Sequence, residues 1–107
     1  IGNDVMVARD CYMAGANHKI SNLEIPISEQ GTESIDLEYN GKEYSIVIED
    51  DVWIGAKVIV VSGTKIGRGS VIAAGSVVSG EIPPFSIVVG NPGRVMFNRQ
   101  KRFKQVK

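Results

Sequence analysis

A six-residue period constrains this chain more than any other feature of it. Written in sixes from Ile48, the sequence reads Ile48-Glu-Asp-Asp-Val-Trp53, Ile54-Gly-Ala-Lys-Val-Ile59 and Val60-Val-Ser-Gly-Thr-Lys65. It continues as Ile66-Gly-Arg-Gly-Ser-Val71, Ile72-Ala-Ala-Gly-Ser-Val77 and Val78-Ser-Gly-Glu-Ile-Pro83. The first position is always Ile or Val, the second is often Gly or Ala, and the fifth (Val, Val, Thr, Ser, Ser, Ile) is small or β-branched in all six. The same frame fits the start, as Ile1-Gly-Asn-Asp-Val-Met6, Val7-Ala-Arg-Asp-Cys-Tyr12 and Met13-Ala-Gly-Ala-Asn-His18.

Six is neither the helical period nor simple alternation. It describes a short strand, a turn and the next strand, with one branched aliphatic per strand pointing inward. Three strands close a triangular coil of about 18 residues, and successive coils pair their strands in parallel about 4.8 Å apart. The fold class expected is therefore all-β, a single parallel β-helix domain over residues 1–107 with coils at 1–18, 48–65 and 66–83. Glycine at the second position is expected to turn the corner, because it tolerates the backbone angles that a corner needs. The chain starts in mid-pattern, so it is expected to be a piece of a longer protein.

Residues 19–47 leave the pattern, and an excursion of that length inside a compact domain tends to be functional. Within it, Ile35–Tyr39 and Lys42–Ile46 flank Asn40-Gly41, which predicts a hairpin with a type I′ turn. After Pro83-Pro84, residues 84–107 begin with an extended stretch, Phe85–Val89, followed by Gly90-Asn91-Pro92-Gly93. Val95–Lys107 is expected to form a short amphipathic helix or to fray.

The formal charge is zero, but its signs are segregated. Residues 1–51 hold eleven acids against Arg9, Lys19 and Lys42, whereas residues 52–107 hold nine bases against Glu81 alone. This split is either a pair of solvated faces or an anion-binding end suited to a phosphorylated ligand. Nucleic acid is not an expected partner, because the basic tail lacks aromatic interleaving beyond Phe97 and Phe103. No apolar run approaches the roughly 20 residues that span a bilayer, so membrane insertion is not expected. A lone cysteine, Cys11, and the lack of a basic-then-apolar leader suggest a cytoplasmic protein. Cys11 fills a fifth position and is read as core. Gly69–Gly75 has neither the spacing nor the lysine of a phosphate-binding P-loop.

Three strings carry a family resemblance. They are Asp51-Val-Trp-Ile-Gly-Ala56, Ala73-Ala-Gly-Ser-Val-Val78 and Ile82-Pro-Pro-Phe-Ser-Ile-Val-Val-Gly-Asn-Pro-Gly-Arg-Val95. Together they resemble the left-handed β-helix, hexapeptide-repeat acyltransferases, in the branch of maltose, galactoside and polysaccharide O-acetyltransferases. The left hand comes from the resemblance alone, since parallel crossovers generally take the opposite hand. The resemblance implies transfer of an acetyl group from acetyl-CoA to a hydroxyl or amine of a small acceptor, a sugar by analogy. It further implies a homotrimer with the cofactor groove between neighbours.

His18 is the only histidine and closes the third hexad, just before the excursion. The resemblance makes it the general base, and an unperturbed imidazole, titrating near about 6.5, suits that work at neutral pH. Its orienting partner is open among Glu29, Glu24, Asp10 and a backbone carbonyl. Trp53 either covers an outer face or lies near the site at a subunit interface. Ala56 and Ala74 match positions where backbone groups hold the pantetheine arm, although tight corners also demand small residues. Ser79 and Arg94 match positions near the phosphate and adenine end of CoA, and Arg94 is otherwise an ordinary surface charge. No metal is expected, because β-helix carbonic anhydrases need three histidines. The rival reading is a non-catalytic trimeric β-helix scaffold. An amino-acid acyltransferase fits less well, since those enzymes bring a long helical region before the repeats.

Overall fold

The computed structural model describes residues 1–103 and shows a triangular parallel β-helix. The first coil opens with β1 (Met6–Val7) and β2 (Tyr12–Ala14). The chain then departs into β3 (Asn17–His18), a 3₁₀ turn at Ile27–Glu29, β4 (Thr32–Glu33), β5 (Leu37–Tyr39) and β6 (Lys42–Tyr44). It returns with β7 (Ile46–Ile48), which supplies the third side of that same first coil. The second coil is β8 (Trp53–Ile54), β9 (Ile59–Val61) and β10 (Thr64–Ile66). The third is β11 (Val71–Ile72), β12 (Val77–Val78) and β13 (Glu81–Ile82), after which β14 (Ser86–Val89) starts a fourth rung. The chain closes with β15 (Arg94–Asn98) and one helical turn, α1 (Arg99–Arg102).

Three flat faces result. The tryptophan face stacks β1, β8, β11 and β14; the second face stacks β2, β9 and β12; the third stacks β7, β10 and β13. The excursion is therefore inserted at the edge between the second and third faces, and it runs from 15 to 45 rather than from 19 to 47. Its limits are set by pairing: Asn17 and His18 bond sideways to Glu33 and Thr32, whereas Ile46 already sits beneath Thr64.

First positions fill the core as the period predicts. Ile48, Ile54, Val60, Ile66, Ile72 and Val78 are all buried, each contributing about 1.5–3 kcal/mol of apolar burial. Fifth positions also point inward, and their chemistry changes along the stack from Val52 and Val58 to Thr64, Ser70, Ser76 and Ser86, all buried. The buried hydroxyls bond to backbone: Thr64 Oγ1 donates to Val61 O at 2.6 Å, and Ser86 Oγ to Pro83 O at 2.6 Å. Among the described residues no buried side-chain polar atom lacks a partner, as a polar group inside a core requires.

Two expectations about the repeat need correction. The sixth hexad is not complete, because Ile82 rather than residue 84 stacks on Ile66. Gly80, at φ 74°, makes a tighter corner there, so Ile82 is a first-position residue and Ser86 its fifth. Nor does the second-position glycine turn the corner. Left-handed backbone falls on the fourth position, at Asp51, Lys57, Gly63, Gly69, Gly75 and Phe85. Gly55 and Gly67 are small for another reason: a Cβ on Gly55 would stand 2.7 Å from Ala74 N, and one on Gly67 2.6 Å from Pro84 N. Coils 4.8 Å apart leave no room for a side chain at that point. Gly55→Val is therefore expected to lose a large part of the stability, read as a fall in thermal midpoint, and an unchanged midpoint would refute the close-approach argument.

The hairpin forms with Leu37 opposite Tyr44 and Tyr39 opposite Lys42. Asn40 (φ 51°) and Gly41 (φ 79°) both take positive φ, as a type I′ turn requires. At the other end, Val95–Lys107 divides: Val95–Asn98 is strand, and the expected helix is confined to one turn, Arg99–Arg102. β15 folds back antiparallel on β14 and covers the last parallel edge of the tryptophan face, which is how proteins commonly protect such an edge. Helix begins only at Arg99, where Asn98 Oδ1 accepts from the Gln100 and Lys101 amides. Residues 104–107 of that expectation lie outside the described part. Among the described residues no helix is long and apolar enough to cross a membrane.

Candidate active site

The expected site residues fall on two different edges of the prism. Ala56 and Ala74 stack on the edge between the tryptophan face and the second face, where the Gly75 amide donates to Ala56 O at 2.9 Å. Arg9 lies beneath them, its carbonyl accepting from the Lys57 amide. Above them, Arg94 pairs with Val89, where the chain turns back from the same edge. Trp53 stands on the adjoining face between Met6 and Val71, 52% exposed, as an outward sixth position should be.

His18 leaves from the other end of the second face. Its neighbour Asn17 donates from Nδ2 to Ser62 Oγ at 3.1 Å, tying the root of the excursion to the edge between the second and third faces. Ile35 leans on that edge too, since a Cβ on Gly63 would meet its Cγ2 at 2.8 Å. Ser79 occupies the same edge one coil beyond Ser62. Within one chain, His18 and Ser79 thus share an edge, and Trp53, Ala56, Ala74 and Arg94 gather along another.

The imidazole of His18 is exposed on β3, and among the described residues it takes no hydrogen bond within the chain. None of Glu29, Glu24 and Asp10 orients it. Asp10 instead lies 3.8 Å from the Arg9 Nε at the alanine-bearing edge. Cys11 Sγ donates to Gly55 O at 3.1 Å and packs against the core. No group of three or more metal-ligating side chains occurs among the described residues.

The alanine-bearing edge has a definite hydrogen-bonding character. Ala74 is exposed and outside any strand, and neither its amide nor its carbonyl has a partner among the described residues. The Ala56 amide is likewise unpaired. Such an edge suits a ligand with amide groups of its own, because each unmade backbone bond on it is available at little steric cost.

A cavity of about 300 Å³ lies elsewhere, beneath β7 and against Tyr39, Glu49 and Arg68. None of the expected site residues lines it. There Tyr39 Oη donates to Glu49 Oε2 at 2.9 Å. That bond, with the charge of Glu49, holds the Tyr39 phenol above its ordinary pKa. Sequence reasoning passed over this hairpin-to-coil link, whose only signal was a tyrosine beside the Asn-Gly turn.

Residues 45–80 match the family described as bacterial transferase hexapeptide (six repeats). Over that stretch the chain carries the repeat of the hexapeptide transferases, the family its sequence resembles. It is 40% identical over 100 residues to a probable acetyltransferase of Mycobacterium tuberculosis, a match covering 94% of this chain and 30% of that protein. It is 35% identical over 98 residues to the galactoside O-acetyltransferase of Escherichia coli, covering 90% and 42%. Among solved structures, a galactoside acetyltransferase in complex with coenzyme A superposes with a TM-score of 0.72 at 31% identity, covering 94% of this chain and 44% of that one. A hexapeptide-repeat acetyltransferase of Vibrio cholerae complexed with acetyl-CoA superposes at 0.69 and 31% identity, covering 92% and 48%. The chain thus spans less than half the length of each of these relatives. The superpositions carry the hand of the coil with them, and this hexapeptide-repeat chain is a left-handed β-helix, as its resemblance implied.

Proposed function

We propose that this β-helix is the catalytic part of an acetyltransferase that moves an acetyl group from acetyl-CoA to a hydroxyl of a small acceptor, a saccharide. The observation that carries the reading is the edge built by Ala56 and Ala74, with its unpaired amides and carbonyl between Trp53 and Arg94. Pantetheine is a chain of amides whose donors and acceptors complement that edge, and Arg94 offers a cation to the phosphate end. Relatives solved with coenzyme A or acetyl-CoA, and others named as galactoside O-acetyltransferases, point the same way.

Acetyl-CoA, when bound, supplies the electrophilic thioester carbon. His18 accepts the acceptor hydroxyl's proton as the oxygen bonds to that carbon, and returns it to sulfur as the C–S bond breaks. Because His18 and the alanine-bearing edge lie apart in one chain, the complete site is shared between copies. One protomer supplies His18 and Ser79, and its neighbour supplies Trp53, Ala56, Ala74 and Arg94. Outward apolar side chains on two faces, Met6 and Trp53 on one and Tyr12 and Ile59 on the other, favour packing between copies, and three copies close a ring. A stable monomer by sedimentation under assay conditions would remove the shared site.

The test is a calorimetric titration of acetyl-CoA into the chain beside Arg94→Ala. Saturable binding is expected, with the variant about 10-fold weaker, the usual scale for one charge-assisted contact. A folded, trimeric chain that takes up no acetyl-CoA would instead favour the scaffold reading.

A further inference from the structure

Two surfaces of this chain are both apolar and charged, and they carry opposite signs. The first is the distal part of the excursion, residues 19–36. Leu23 is 93% exposed there, Ile20, Ile27 and Ile35 are more than half exposed, and the stretch holds Glu24, Glu29, Glu33 and Asp36 against Lys19 alone. It is an ordered surface, because Gln30 bonds through its side chain to the Asn22 amide and to the Asn22 and Ile25 carbonyls. The second is β15 with α1. Met96 is 56% exposed, Val95, Phe97 and Phe103 are exposed beside it, and Arg94, Arg99, Lys101 and Arg102 stand among residues 82–103, which hold no acid.

These two surfaces do not satisfy each other within one chain. The excursion leaves the first coil at the edge between the second and third faces, whereas β15 caps the fourth rung of the tryptophan face. Among the described residues the chain forms two ion pairs, Arg9 with Asp10 and Lys65 with Glu81. Neither uses an acid of the excursion or a base of the C-terminal segment.

We propose that the excursion of one copy docks on the β15–α1 segment of a second copy, its aliphatic side chains against Val95 and Met96 and its carboxylates against Lys101 and Arg102. The segregation of charge along the sequence is then an assembly code: each chain carries both halves of a heterologous contact, and such contacts close into rings. The docking rests on the shared-site reading and deepens it, because the excursion is rooted at His18 and β15 starts at Arg94. The contact draws one copy's base toward the other's cofactor edge.

The experiment measures association by analytical ultracentrifugation at about 0.1 M and about 1 M salt, where screening lengths are about 10 Å and 3 Å. It uses the parental chain, an E24K/E29K/E33K variant, a K101E/R102E variant and a chain carrying all five substitutions, with acetyl-CoA titrated into each. Circular dichroism confirms that each variant is folded. Expected are an association at least about 10-fold weaker in high salt and in either partial variant, and recovery in the five-fold charge-swapped chain. Recovery is the decisive result, since it requires the reversed surfaces to meet. Association that ignores both salt and charge reversal overturns the docking, as does a folded charge-swapped chain that fails to recover. A parental chain that is monomeric throughout overturns it too. Acetyl-CoA binding separates this failure from that of the function: binding retained with salt-insensitive assembly removes only the docking contact, and binding absent from an assembled parental chain removes the transferase reading.

Discussion

His18→Ala is expected to lower kcat for acetyl transfer by about 10²–10⁴-fold, the usual worth of a positioned general base. Acetyl-CoA affinity should change little, because Trp53, Ala56, Ala74 and Arg94, proposed to hold the cofactor, lie on a different edge of the prism from His18. A base acts on the acceptor's proton and does nothing for the uniform binding of the donor, so the loss belongs in kcat rather than in the donor KM. His18→Gln would be equally impaired, since an amide hydrogen-bonds but accepts no proton at neutral pH. Steady-state kinetics over an acceptor panel, paired with the titration, checks both halves. Full activity in the alanine variant would sink the general-base role whatever the cofactor result.

The second large effect concerns the fold itself. Ile66→Asp is expected to abolish cooperative folding. Ile66 is fully buried between Ile48 and Ile82 in the column of the third face. Truncating such a side chain costs about 2–5 kcal/mol, and an unpaired carboxylate left inside costs several more. The total stability of a small domain is about 5–15 kcal/mol. Lys65→Ala, one residue away on the outward side, is expected to cost no more than about 1 kcal/mol. It loses a partly exposed ion pair to Glu81 at 3.9 Å and a cation–π contact of 5.4 Å with Tyr39. Far-UV circular dichroism through a thermal melt separates the two, and a folded Ile66→Asp protein would show that the third-face column is dispensable.

The core was legible because its code is local. Each hexad states its own inward residue, and the six first-position Ile and Val from Ile48 to Val78 are buried as the repeat requires. The Asn40-Gly41 turn was legible for the same reason, since its φ values are a property of those two residues. The reading failed where neighbours decide. The helix expected over Val95–Lys107 keeps one turn at Arg99–Arg102, because Val95–Asn98 pair with β14, a partner the segment's own pattern does not reveal. The shortened corner at Gly80 was invisible because the hexad frame continues smoothly through Val78 until Ile82 is seen beneath the next rung's level. The glycine argument was right about residue size and wrong about cause, because contact between coils, rather than backbone angle, excludes a side chain at Gly55.

The candidate site divides along the same line. Sequence alone singled out His18, Trp53, Ala56, Ala74, Ser79 and Arg94, through resemblance and through position in the repeat. It also showed an acidic first half and a basic second half, since charge needs no fold to be counted. Only the tertiary structure decided which of these residues stand together. A six-residue period assigns a side chain to the inside or the outside, but the edge it occupies depends on where the coil count was interrupted. The excursion enters between the second and third faces, and that places His18 and Ser79 on one edge with the remaining four along another. The repeat determined a β-helix, and the insertion point, set by strand pairing across coils, decided that the six candidate residues do not gather on one edge of a single copy.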